Sequence, residues 1–107
     1  MATKKTKKYF VSVLGIPFDV IIKEKVLVDR EEVGGVTYGP KRLIELSKEE
    51  NHTEELMNST LIHEYCHAVL YVAGQTHTLT DEQEEGIVGA MEHSFSQHFN
   101  MVLEEYE

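Results

Sequence analysis

The chain has 107 residues, 41% of them apolar, and a formal net charge of −9. That length gives one domain around one core, and the apolar share is enough to fold without covalent staples. The acidic balance argues against general nucleic-acid binding. The single cysteine, Cys66, excludes an intramolecular disulfide and fits a reducing, cytoplasmic compartment, and no apolar run reaches the roughly 20 residues of a membrane helix.

Met1–Lys8 is basic through Lys4, Lys5, Lys7 and Lys8 and lacks the pattern of a secretory signal. It reads as a flexible tail before a single domain over residues 9–107. Taking those four charges from −9 leaves −13 on the body.

Tyr9–Leu14 alternates and is rich in aromatic and β-branched residues, so a strand is expected. Gly15-Ile16-Pro17 breaks it. Phe18–Val28 is extended in character, with Val20, Ile22, Val26 and Val28 on one parity. Asp29–Gly35 is charged and ends in Gly34-Gly35, which reads as a turn. Val36–Tyr38 is a short strand, and Arg42–Leu46 suggests another. These pieces predict a small, mainly antiparallel sheet of three or four strands.

The second half predicts two helices. Thr53 is an N-cap candidate with Glu54 and Glu55 in the first turn, and Gly74 is a natural stop. Thr80 and Gln83 form a capping box that opens the second helix. Its buried stripe is expected at Val88, Met91, Phe95, Phe99 and Val102. Sheet first and two packed helices after it make an α+β domain.

The first predicted helix carries His63-Glu64-Tyr65-Cys66-His67, an H-E-x-x-H pentamer. Residues four apart lie one turn apart on the same helical face, so both imidazoles can aim at one point. Two neutral imidazole nitrogens there suit a zinc ion, and Glu64, about 100° round the helix, can reach water at the ion without ligating it. The flanks Thr60-Leu61-Ile62 and Ala68-Val69-Leu70 set the motif in an apolar helix rather than on a solvated one. Of the other histidines, His93 points away from the apolar stripe of its helix toward solvent and His52 and His98 have no partner pattern, and Cys66 lies off the histidine face, as a small buried residue would.

A catalytic zinc site needs a third protein ligand. The metzincin spacing is excluded, because Ala73 stands where its third histidine belongs and Leu70 replaces its glycine. His77, in the connection, and Glu84, Glu85 and Glu92, on the second helix, remain. With Val88 at the centre of that helix's buried face, the three glutamates fall at about −40°, +60° and +40°, all beside the first helix. Asp81 and Glu82 sit in the first turn, where the helix dipole accounts for their charge.

Thr60-Leu61-Ile62-His63-Glu64-Tyr65-Cys66-His67-Ala68, a short connection, and then Asp81-Glu82-Gln83-Glu84-Glu85-Gly86-Ile87-Val88 resemble the small phage and bacterial gluzincins, compact relatives of the ImmA/IrrE-type metallopeptidases. The resemblance covers about residues 9–103. It implies a minimal zincin-like fold and a third ligand on the second helix, a glutamate followed three residues later by a small apolar residue. Glu85 with Val88 fits that spacing, leaving Glu84 and Glu92 as alternatives. Larger members carry Asn or Asp four residues after the ligand, where this chain has Gly89. The implied function is peptide-bond hydrolysis with one Zn²⁺, bound by His63, His67 and Glu85, and Glu64 as general base.

His77, Tyr38 and Tyr106 are the candidates for stabilising the oxyanion. A peptide or protein is the expected substrate, added as a strand to a sheet edge such as Arg42–Leu46. Neither nucleic acid nor membrane is an expected partner. The competing function class is a non-catalytic, regulatory zinc-binding protein acting through a protein partner. Glu64 favours the enzyme, because a structural site needs no glutamate beside its first ligand.

Overall fold

The computed structural model describes residues 8–107, so the basic tail expected over the first eight residues lies outside the described residues except for Lys8. Strand β1 (Tyr9–Val13) turns through Leu14-Gly15 into β2 (Ile16–Lys23). Both turn residues have positive φ, 49° and 84°. A two-residue loop of that kind matches the right-handed twist of the paired strands. Strands β3 (Val26–Val28) and β4 (Glu31–Val33) form a separate hairpin, followed by β5 (Gly35–Tyr38) and β6 (Leu43–Ser47). Helix α1 (Glu54–Val72), a 3-10 turn at Gln75–His77, helix α2 (Asp81–Phe95) and a short strand β7 (Glu104–Glu105) complete the chain.

The main sheet has the order β5-β6-β2-β1-β7. It is antiparallel except where β2 meets β6, in the register Val20↔Ile44 and Ile22↔Leu46. The α+β class and the order of sheet before two helices are as the sequence predicts, with more strands than expected. The segment Arg42–Leu46 is not a free edge. Its strand, β6, is paired on both sides, and β5 is the edge.

Alternation explains the core. Val11 and Val13, Phe18 and Val20, and Ile44 and Leu46 turn to one face of the sheet and bury against Leu61 and Ala68 of α1. A smaller cluster of Ile62, Cys66 and Val88 joins α1 to α2. Burial raises the Cys66 thiol pKa, so this cysteine is a core residue and a poor nucleophile.

Both helix starts are as expected. Thr53 accepts from the Leu56 amide, and Thr80 and Gln83 cap each other reciprocally. The second helix ends earlier than its apolar stripe suggests. After Phe95 the chain turns, and Asn58 of α1 donates to the Phe99 carbonyl and accepts from the Met101 amide. Those bonds draw the chain out of the helical path. Phe95, Phe99 and Val102, expected in the buried stripe, are exposed, while Met101 and Leu103 pack on the core.

Candidate metal centre

Helix α1 lies across β5 because β5 is small wherever the helix crosses it. Gly35 and Thr37 share one face of the strand, at a period of two, and Gly39 follows at the start of the next turn. Opposite them stand Thr60, Glu64 and Tyr71. A Cβ on Gly35 would meet Thr60 at 2.9 Å and Glu64 at 3.0 Å, and one on Gly39 would meet the Tyr71 ring at 2.5 Å. Buried Asn51 fixes the approach. Its amide donates to the carbonyls of Gly34 and Ser47, each at 2.8 Å, and its oxygen accepts from the Thr60 hydroxyl at 2.6 Å. Gly39→Ala is therefore expected to destabilise the fold by about 1–3 kcal/mol, the usual cost of overpacking. Urea denaturation checks this, and an unchanged midpoint would contradict the contact.

This crossing buries Glu64, whose side chain enters the contact between helix and edge strand. The Thr37 hydroxyl lies 2.9 Å from Glu64 Oε1 and 2.8 Å from the Glu64 carbonyl oxygen, so it ties the carboxylate to β5. Burial pushes the Glu64 pKa up, against the opposing pull of the Thr37 hydroxyl and of His63 and His67. A carboxylate raised in this way is a better proton acceptor than an ordinary surface one.

His63 and His67 project together from α1, with ring centroids 4.9 Å apart. Their Nδ1 atoms face α2, where each finds a carboxylate. Glu92 Oε1 lies 2.8 Å from His63 Nδ1, and Glu84 Oε2 lies 2.6 Å from His67 Nδ1. Glu92 is itself held by the Ser59 hydroxyl at 2.7 Å. A carboxylate at Nδ1 keeps the ring proton there and leaves the Nε2 lone pair for a ligand.

Both Nε2 atoms converge on Glu85, at 3.0 Å from His67 and 3.6 Å from His63. One donor atom from each of His63, His67 and Glu85 can be chosen so that all lie within 4.8 Å of one another, the one such metal-binding group among the described residues. A tetrahedral ion with donors at about 2.0–2.2 Å sets them roughly 3.3–3.5 Å apart, so two imidazoles and a carboxylate at these separations fit a small divalent cation. Four carboxylates gather round the two rings, which also favours a cation over any anion. Glu85 is well exposed, so the centre is open to solvent on one side.

The structure thus brings together His63, Glu64, His67 and Glu85. Glu84 and Glu92, the alternatives for the third ligand, take the Nδ1 side of the rings and not the Nε2 side where the donors converge. They also supply the orienting carboxylates that Gly89 cannot. Of the oxyanion candidates, none lines the cleft at the centre. His77 is exposed in the 3-10 turn. Tyr38 alternates to the side of β5 away from Thr37, with the Lys41 ammonium 5.2 Å over its ring. Tyr106 belongs to the opposite edge of the sheet, where it packs on Phe10 and donates to Asp19.

The hydroxyl-bearing ring that does line the cleft is Tyr71. It stands four residues after His67, on the helix spacing that brings residues to a common face. That spacing was the available signal for it. Gly35 and Thr37 at period two, followed by Gly39, were the signal for the small face of β5.

A family model described as the SprT-like family matches residues 18–84, which takes in most of β2, strands β3 to β6, the whole of α1 and the start of α2. No curated protein and no solved structure matches the chain.

Proposed function

The chain belongs to the SprT-like family, which is zinc metallopeptidase-like, and from that premise we propose that it is a zinc-dependent metallopeptidase that cleaves peptide bonds. The observation that carries the reading is the convergence of His63 Nε2, His67 Nε2 and Glu85 beside a buried Glu64. One Zn²⁺ would be held by those three side chains. Bound there, it would lower the pKa of water toward about 7 and polarise a substrate carbonyl.

The protein's own groups do the rest. Glu84 and Glu92 keep the two rings in the tautomer that leaves Nε2 free. Thr37 holds Glu64 in place, and Glu64 takes a proton from the attacking water and passes it to the leaving nitrogen. Tyr71, which lines the cleft, is the residue proposed to donate to the carbonyl oxygen as charge develops there. A substrate peptide can add to β5, which among the described residues pairs only with β6 and so offers its other edge beside the centre. The narrower kinship with the ImmA/IrrE-type peptidases rests on Glu85 as third ligand. A cytoplasmic setting rests on the lone, unpaired cysteine, and among the described residues no helix is long and apolar enough to cross a membrane.

The test is hydrolysis of a mixed peptide library by protein carrying one equivalent of zinc. Cleavage that stops with a chelator and returns with zinc is expected. A fully loaded protein that cuts nothing would favour a zinc-binding regulatory role instead.

A further inference from the structure

The cleft at the metal centre has two unlike walls. One holds His63, Glu64, His67 and Glu85. The other is apolar and includes Val28 and Val33 of the β3–β4 hairpin, with Val36 and Tyr71 beside them. The space between is about 380 Å³, enough for a large side chain.

The hairpin is a separate two-stranded unit, not hydrogen-bonded into the main sheet. Its tight turn, Asp29-Arg30, has positive φ at both residues, 51° and 69°. Cross-strand pairing sets Val26 opposite Val33, and alternation puts Val28 on the same face. The other face carries Leu27, which is 57% exposed. On the inner face Val26 is fully buried against the body, whereas Val28 and Val33 are only half-buried. They extend the apolar face beyond what the protein itself covers, and the place where it is left uncovered is the cleft.

We propose that the inner face of this hairpin is the side-chain subsite of the peptide substrate. It takes an uncharged apolar residue, such as Leu, Met or Phe, next to the scissile bond and rejects Asp and Glu there. The proposal rests on the peptidase reading. An aliphatic or aromatic side chain in this space removes apolar surface from water on both partners. An acidic one would lose hydration against valines and stand beside Glu64 and Glu85, with no lysine or arginine among the described residues lining the cleft.

The experiment pairs cleavage with binding. Wild-type protein loaded with zinc digests a peptide library, and mass spectrometry reads the residues flanking each cleaved bond. At one flanking position, apolar residues should be favoured over Asp and Glu by about 10–200-fold, the discrimination a side-chain pocket commonly supplies. Val28→Lys should lower that preference at least tenfold, with zinc content and far-UV circular dichroism unchanged. Leu27→Lys, on the outer face of the same strand, should leave it as it is.

Equal cleavage at apolar and acidic positions, or the same preference in Val28→Lys as in wild type, would overturn the subsite. The binding arm uses immobilised Glu64→Gln protein to select from the same library. If wild type cuts nothing, yet this variant enriches apolar peptides and loses that enrichment with Val28→Lys, the catalytic reading fails and the subsite stands. If it enriches none, both fail.

Discussion

Glu64→Gln is expected to lower peptide hydrolysis by about 10²–10⁴-fold, the usual worth of a positioned acid–base group, while zinc content and folding stay nearly unchanged. The substitution keeps the size of the side chain and a carbonyl oxygen that can still accept from Thr37 Oγ1. It removes only the basicity. Because Glu64 is buried against Gly35 and Thr60, a shorter side chain would also open a gap under the helix. Gln avoids that second effect. Equal rates of cleavage by the variant and wild type would remove Glu64 from the mechanism.

Glu85→Ala is expected to weaken zinc binding far more than Glu84→Gln or Glu92→Gln. The latter two should each cost about 10–100-fold, as orienting partners of metal ligands usually do. The three glutamates share one helix and similar distance from α1, and differ in which ring nitrogen they face. Glu85 meets Nε2 of both histidines, whereas Glu84 and Glu92 each meet one Nδ1. Competition with a chromogenic chelator measures all three. If Glu84→Gln or Glu92→Gln proves the more damaging change, the assignment of the third ligand is reversed.

The contrast among these glutamates marks what the sequence carries. His63, Glu64 and His67 were legible because their relation is local, fixed by one turn of a helix. The choice among Glu84, Glu85 and Glu92 depends on how α2 is rotated against α1, and helical angles left all three within reach. Only resemblance to a family favoured Glu85. Thr37 acts on a residue 27 positions away, so no local pattern announced it.

The second strand of the hairpin over the cleft reads in the sequence as part of a turn for a different reason. The hairpin's turn residues, Asp29-Arg30, are not the Asn-Gly or Asp-Gly pair that normally signals such a loop, and Glu31–Val33 is too short to show alternation. The end of α2 misled in the opposite direction. The spacing of Phe95, Phe99 and Val102 continues the helical stripe, and no glycine or proline interrupts it. The helix stops because Asn58, more than 40 positions earlier, captures the backbone at Phe99 and Met101.

That His63, His67 and Glu85 hold one zinc ion is the proposal from which the catalytic reading follows. Its most direct test is the metal content, by elemental mass spectrometry, of protein stripped with a chelator, reloaded with zinc and desalted. Wild type should retain one zinc per chain, and the His63→Ala, His67→Ala double variant, folded by circular dichroism, should retain none. Stoichiometric zinc in the double variant, or a folded wild type that takes up no zinc, would contradict the account.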